Sequence, residues 1–211
     1  MARGNGRDPQ QTRTELLEAA YKEVYYHGFQ AASLERILSN TELTKGALYH
    51  HFANKEALYV TMMLADLKEK ESLFRAAVEH KGSCRDRLRR LTQLFLELPR
   101  KKRDLIKLVR RDINIFKGPI RGQLVRAYQA ALPQQVEAIL RDGVRTGELG
   151  RFDSRLLSWV HVAIVEVILT RYAESVFPDH DDALEFVTRL FFNGVGAYTH
   201  LSADASQSRY T

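Results

Sequence analysis

Apolar residues recur along this chain at intervals of three and four from Leu16 to Tyr198. That period is helical, and no run of alternating β-branched residues bounded by turns interrupts it, so the pattern predicts an all-α protein of about nine helices. The first helix opens at "DPQQ", where Asp8 can cap, Pro9 suits the first helical position and Gln11 completes a capping-box pattern. Leu16, Leu17, Ala20 and Val24 form its apolar stripe beside Tyr21 and Tyr25, and Gly28 is expected to stop it in a left-handed conformation. Ser33 then caps a short second helix, Thr44 a third of two turns ending near Phe52, and Asn54 a long fourth over 55–78. Helices as short as the second and third are marginal alone and have to be held by packing. Two short helices joined by a tight turn and braced by a longer one is the helix-turn-helix arrangement.

Beyond "HKGSC" a fifth helix runs from Cys84 to Leu98 and stops at Pro99, and a sixth runs from "RKKRD" to about Phe116. A seventh starts at the Gly-Pro pair 118–119 and reaches Thr146, with Pro133 expected to kink or split it. The turn "TGELG" leads to an eighth helix from Asp153 or Ser154 to Ser175, and a ninth runs from Ala183 to His200. These elements divide the chain into a helix-turn-helix domain over 1–54 and a larger helical domain over 55–205, with helix four connecting them.

Composition narrows the classes. Cys84 is the sole cysteine, so no intramolecular disulfide forms; no Cys/His spacing for zinc is present, and no secretory signal opens the sequence, which points to a reducing cytoplasm. The most apolar run, Leu156 to Leu169, is interrupted by Ser158, His161 and Glu166 and is shorter than the roughly 20 residues of a membrane span. It is a core or interface helix, and no membrane partner is expected. The net charge of +6 suits nucleic acid, yet its distribution matters more than its sum. Residues 1–60 hold seven basic and seven acidic residues, whereas 85–111 hold eleven and three. Any DNA contact made by the first 60 residues therefore rests on placed side chains rather than bulk charge.

Those side chains carry a resemblance. The segment "YYHGF" at 25–29, followed by "SLERILSNTELTKGALYHHFANKEALY" at 33–59, resembles the DNA-binding domain of TetR-type transcriptional regulators. Its core is "KGALYHHFANKEAL": a small pair, Leu-Tyr-x-His/Tyr-Phe, then Asn-Lys-Glu opening the fourth helix. The resemblance covers about the first 60 residues; beyond them only the helix count, "RTGELG" and a glycine-spaced last helix match. The family's Ala-Gly turn is replaced by "LSNTEL" at 38–43, where Asn40 is expected to supply the left-handed residue.

In a helix-turn-helix the second short helix enters the major groove. Thr44 at its start is placed for phosphate, Lys45 for guanine acceptors or phosphate, and Gly46 and Ala47 let the backbone approach the groove floor. At matching family positions Tyr49 and His50 meet phosphate or sugar, with His51 beside them; Lys55 and Ser33, at the starts of the fourth and second helices, give two further backbone clamps. Arg3 and Arg7 lie in a glycine-containing arm that can enter a minor groove, add phosphate attraction or stay solvated. Leu48 and Phe52 should face inward. Adjacent histidines on a helix point about 100° apart and no third ligand is near, so no metal is expected at His50 and His51. No nucleophile motif or Gly-rich phosphate loop is present, so neither an enzyme nor a cofactor is expected.

The resemblance further implies a homodimer on palindromic double-stranded DNA and a small-molecule effector of unknown identity. The last helix offers Phe186, Leu190, Phe191, Gly194, Val195 and Tyr198 for a dimer interface with the eighth. Polar or aromatic residues in apolar surroundings, namely Asn114, Phe116, Tyr128, Trp159, His161 and Glu166, are the effector candidates. The basic segment 85–111 is a solvated face, or else a site for an anionic effector or extra nucleic-acid contact. Control by a protein partner, or a helical ligand carrier without DNA function, are the competing accounts.

Overall fold

The computed structural model describes residues 8–196, which form eleven α-helices and no strand. They are α1 (Pro9–Ala31), α2 (Leu34–Ser39), α3 (Lys45–His51), α4 (Lys55–Val78), α5 (Cys84–Glu97), α6 (Arg100–Asp112), α7 (Gly118–Ala131), α8 (Pro133–Thr146), α9 (Ser154–Ile168), α10 (Arg171–Val176) and α11 (His180–Gly196). Two more are present than the periodicity predicts. Pro133 splits the expected seventh helix into α7 and α8, because a proline lacks the N–H that would continue the ladder. The expected eighth divides where Thr170 leaves helical geometry and its side chain accepts a hydrogen bond from the Ala173 N–H, restarting the chain as α10. None of the helices among the described residues is long and apolar enough to cross a membrane.

The starts of these helices are set by local polar caps. Asp8 accepts from the Gln10 N–H at 3.0 Å, Ser33 from Arg36 at 3.1 Å, Thr44 from Ala47 at 3.2 Å and Asn54 from Ala57 at 2.8 Å. Each satisfies one of the orphan donors of a first turn, an interaction worth about 1 kcal/mol. Gly28 breaks α1 but does not end it in the left-handed helical conformation expected: its φ is +76° with an extended ψ of 164°, and one further turn carries the chain to Ala31. Asn40 does not adopt the left-handed conformation anticipated for it; its φ is −94°. The turn is closed instead by side chains, with Asn40 Nδ2 donating to the Arg36 carbonyl and Thr41 Oγ1 to the Leu38 carbonyl.

The chain forms two compact units, and their boundary is not the one expected at residue 54. The first contains the described residues through Lys68 together with Arg100–Tyr128, so that α6 and most of α7 belong with the helix-turn-helix. Its core is built from Leu16, Ala20, Val24, Ile37, Leu48, Phe52, Leu58 and Met62, joined by Leu105, Val109 and Phe116. The reason for the shifted boundary is visible on α6, whose Leu105, Ile106 and Val109 are buried while α6 packs on α1. The second unit contains Glu69–Pro99 and the described residues from Gln129 onward. In it α5 packs on α8 and α11, and α9 packs on the same two helices.

Helices α5 and α8 cross closely. A Cβ added at Gly143 would lie 2.7 Å from Cys84 Sγ and 2.8 Å from Cys84 Cβ, with Leu149 Cδ1 at 3.1 Å. Gly143→Ala should therefore lower stability by about 1–3 kcal/mol, the usual cost of overpacking, despite the better helix propensity of alanine. Urea denaturation of the two proteins checks it; equal midpoints would mean that the helices separate freely.

Candidate nucleic-acid interface

The third helix has seven residues and presents two different sides. Leu48 is fully buried and Phe52, which closes the helix, is 4% exposed, so both face inward as predicted. Thr44, Lys45, Gly46, Tyr49 and His50 are exposed, with Ala47 and His51 half-buried. The structure thus leaves these residues wholly or partly open to solvent around the helix, with Leu48 as its buried side. Lys45 Nζ lies 6.0 Å from the centre of the Tyr49 ring, which holds the ammonium over the helix surface. Gly46 is more informative. A Cβ there would meet nothing nearer than Thr44 Oγ1 at 3.8 Å, so the protein itself leaves room for a side chain. A glycine inside an exposed helix costs roughly 1 kcal/mol relative to alanine, and no intramolecular contact requires it here.

A helix this short depends on what surrounds it. Glu23, 4% exposed, accepts from the Ser33 N–H at 3.3 Å and from Arg36 Nε at 2.5 Å, while Arg36 Nη2 donates to the Ala31 carbonyl. In the sequence Glu23 carries no signal, because a carboxylate among polar helix positions looks like any solvated one. Lys55 is placed differently from the phosphate clamp anticipated for it. Its ammonium donates to the carbonyls of Phe29 at 3.0 Å, Gln30 at 3.2 Å and Ala32 at 3.0 Å, and it sits 4.7 Å from the Phe29 ring centre. An ammonium has three donors, and all three are used. Lys55 is a cap for the last carbonyls of α1, holding the link into α2. Ser33 spends its hydroxyl as the cap of α2, and its exposed edge remains at the start of that helix. Arg3 and Arg7 lie outside the described residues.

A second brace comes from α6. Asp112, 1% exposed, accepts from the Tyr59 hydroxyl at 2.7 Å and from Arg111 Nε at 2.6 Å. Burial and this hydrogen bond push the Tyr59 phenol up, so it remains a donor, and the hydrogen bond to Asp112 raises Arg111. Further along, Tyr25 donates to Asp104 at 3.1 Å and Lys102 pairs with Asp66 at 3.2 Å. Phe116, proposed as an effector contact, instead packs tilted against Phe29 and stacks with Tyr59 in the core of this unit. Asn114 is exposed and accepts from Arg121, and Tyr128 is buried in the first unit.

The remaining effector candidates lie in the second unit. Glu166 is half-buried. Trp159 lines a recess of about 180 Å³ with Pro133, Gln134, Glu137, Arg155 and Ser158, below the roughly 300–1,000 Å³ of a site for a drug-sized ligand. His161 is a core residue. Its Nε2 lies 3.1 Å from Thr92 Oγ1, whose proton goes to the Leu88 carbonyl, so Nε2 carries the imidazole proton and Nδ1 has no hydrogen-bond partner among the described residues. Of the interface candidates, Phe186 and Leu190 are exposed, but Phe191 is 2% exposed and packs edge-on to His161 at 5.1 Å. Phe191 therefore belongs to the core of the unit rather than to an outer face. Gly194 is exposed; the side chain of Val195 and all of Tyr198 lie outside the described residues.

Two short capped helices, the second exposing one threonine, one lysine, two small residues and aromatic or imidazole groups, have the arrangement of a helix-turn-helix. Residues 16–62 match the family described as bacterial regulatory proteins, tetR family. Over these residues the helix-turn-helix head is similar to that family. Over 72 residues the chain is 38% identical to the HTH-type transcriptional regulator UidR of Escherichia coli K12, covering 34% of this chain and 37% of that one. Over 66 residues it is 33% identical to the HTH-type transcriptional repressor AcnR of Corynebacterium efficiens, covering 31% and 35%. The chain thus spans little more than a third of the length of these relatives. The fold is shared more widely: the structure of Salmonella enterica GusR superposes with a TM-score of 0.72 at 21% identity, covering 92% of this chain and 100% of that one.

One prediction concerns His161. Burial alone lowers its pKa from 6.5 to about 4, so the folded state holds the neutral ring while the unfolded chain binds a proton below pH 6.5. Stability is then fully present above pH 6.5 and falls as the pH drops toward 4, at about 1.4 kcal/mol for each unit of pH, or about 2 kcal/mol between pH 7 and 5. Urea titrations at the two pH values, compared with the same pair for His161→Gln, isolate this contribution; an equal loss in the variant would count against it.

Proposed function

We propose that this protein is a DNA-binding transcriptional regulator, most simply a repressor, acting as a cytoplasmic homodimer on a palindromic operator and responsive to a small molecule. The observation that carries the DNA assignment is Gly46: an exposed helical glycine with open space around it, flanked by Lys45 and Ala47, favours a partner that must approach the backbone closely. AcnR, similar over the head, is called a repressor.

The dimer is supported by apolar surface that the second unit leaves uncovered. On α9, Leu156, Val160 and Val167 are 65%, 43% and 62% exposed, and on α11 Phe186 and Leu190 are 43% and 51% exposed. Residues at these spacings share one stripe of each helix, and exposed apolar stripes on two helices suit association with the same stripes of a second copy. Phe191 is excluded from the interface, and Phe186, Leu190 and Gly194 are kept. For the effector, the recess at Trp159 is the supporting feature, and it suits a small fragment.

Two experiments test the proposal. Purified protein should enrich a palindrome from a pool of random duplexes, and Gly46→Leu should keep or slightly raise its thermal midpoint while losing at least tenfold in affinity for that palindrome. Loss of folding in the variant, or undiminished binding, would remove Gly46 from the interface. Leu190→Arg should convert the dimer to a monomer by light scattering; an unchanged mass would sink the α9–α11 assignment.

A further inference from the structure

The charge of this protein is concentrated where the helix-turn-helix itself has none. Residues 1–68 hold eight basic and eight acidic residues, whereas 100–128, which complete the same compact unit, hold ten basic and two acidic. Neither carboxylate is open: Asp112 is buried under Tyr59 and Arg111, and Asp104 is engaged by Tyr25, Arg100 and Lys107. From Ile113 to Val136 the sequence has no acidic residue at all. The eleven-to-three excess over 85–111 seen in the sequence is therefore two features. The part before Arg100 belongs to the second unit, where Arg87 pairs with Asp142 at 3.0 Å. The part from Arg100 onward runs along the head.

Its direction is fixed by its neighbours. Lys102 meets Asp66 and the Tyr21 ring, Asp104 meets Tyr25, and Arg111 Nη2 lies 3.2 Å from the Cβ position of Gly28. Phe116 then packs against Phe29 and stacks on Tyr59. So α6 runs alongside α1 toward the C-terminal end of that helix, and its cations end beside the link at Gly28 to Ala31 that leads directly into Ser33 at the start of α2. Arg110, Arg111, Lys117 and Arg121 are exposed there, and Lys117 has no ion-pair or hydrogen-bond partner among the described residues.

We infer that the end of α6 and the start of α7, centred on Arg110, Lys117 and Arg121, form a second phosphate-contacting surface that grips duplex DNA flanking the bases read by α3. The occupant is set by charge complementarity: a duplex carries one negative charge per about 1.7 Å of axis, and this surface lies on the unit that also carries the reading helix. The inference rests on the regulator function proposed above. It assigns sequence reading to a nearly neutral helix-turn-helix, and most of the nonspecific attraction to a helix outside it.

The test uses the full chain and the palindrome it selects from random duplexes, once with about one helical turn of flanking duplex on each side and once trimmed. Lys117→Gln/Arg121→Gln, both exposed, should keep the thermal midpoint and select the same palindrome. On the flanked duplex the slope of log affinity against log salt should become shallower by about 0.9 for each phosphate no longer neutralised, and Lys117→Arg/Arg121→Lys should restore it. On the trimmed duplex wild type and variant should converge. An unchanged slope on flanked DNA, with selection intact, overturns this inference alone and leaves the surface to an acidic protein or anionic metabolite. Failure of the wild type to enrich any duplex overturns the regulator function and this inference together.

Discussion

At the helix-turn-helix one ammonium group pins the chain where it enters the short helices. Helices of six and seven residues have too few hydrogen bonds to repay their nucleation, so α2 and α3 rely on packing against α1 and on a chain held in place as it enters them. Lys55 holds it, closing the three carbonyls at the end of α1 from the far side of the helix-turn-helix in sequence. Because the same residue opens α4, the longest helix starts at the point where α2 is aimed. Glu23 serves the same link from the other side through Ser33 and Arg36. The two charges are thereby committed to scaffolding, and the exposed side of α3 is left to groups that bear none of that load.

This division explains which features could be read from the sequence. Caps are local: Asp8, Ser33, Thr44, Asn54 and Asp153 announce helix starts because donor and acceptor lie two or three residues apart. Proline at 133 and glycine at 28 act through their own backbone and are equally legible. Lys55 is not, since its partners are more than twenty positions away and the family pattern assigns it another task. The last helix shows a different limit. Phe186 and Leu190 alternate with Val187 and Phe191 around a helix apolar on two sides, and periodicity alone does not say which side the rest of the unit covers. His161 likewise looked like a ligand group and proved to be a core residue tied to Thr92.

The domain boundary is hidden in the sequence for a related reason. A boundary drawn from motifs ends where the motif ends, but packing follows buried area, and Leu105, Ile106, Val109 and Phe116 bury theirs with the head. The polar ties from Asp104 and Asp112 to Tyr25 and Tyr59 then fix the rotation of α6 about its own axis. Apolar packing brings α6 to the head and hydrogen bonds choose which of its faces stays wet. That is how a helix with seven cations can be part of a core and still present them outward.

The tight crossing of α5 and α8 has a practical side. Cys84 is buried and its thiol is pushed up to about 12 by desolvation and the nearby Glu148 carboxylate, so almost no thiolate exists at neutral pH. Thiol-directed alkylating reagents are expected to leave Cys84 unmodified in the native protein. A cysteine introduced on the outer face of α3 would then be the single reactive position, and a dye attached to it would report directly on how the reading helix moves.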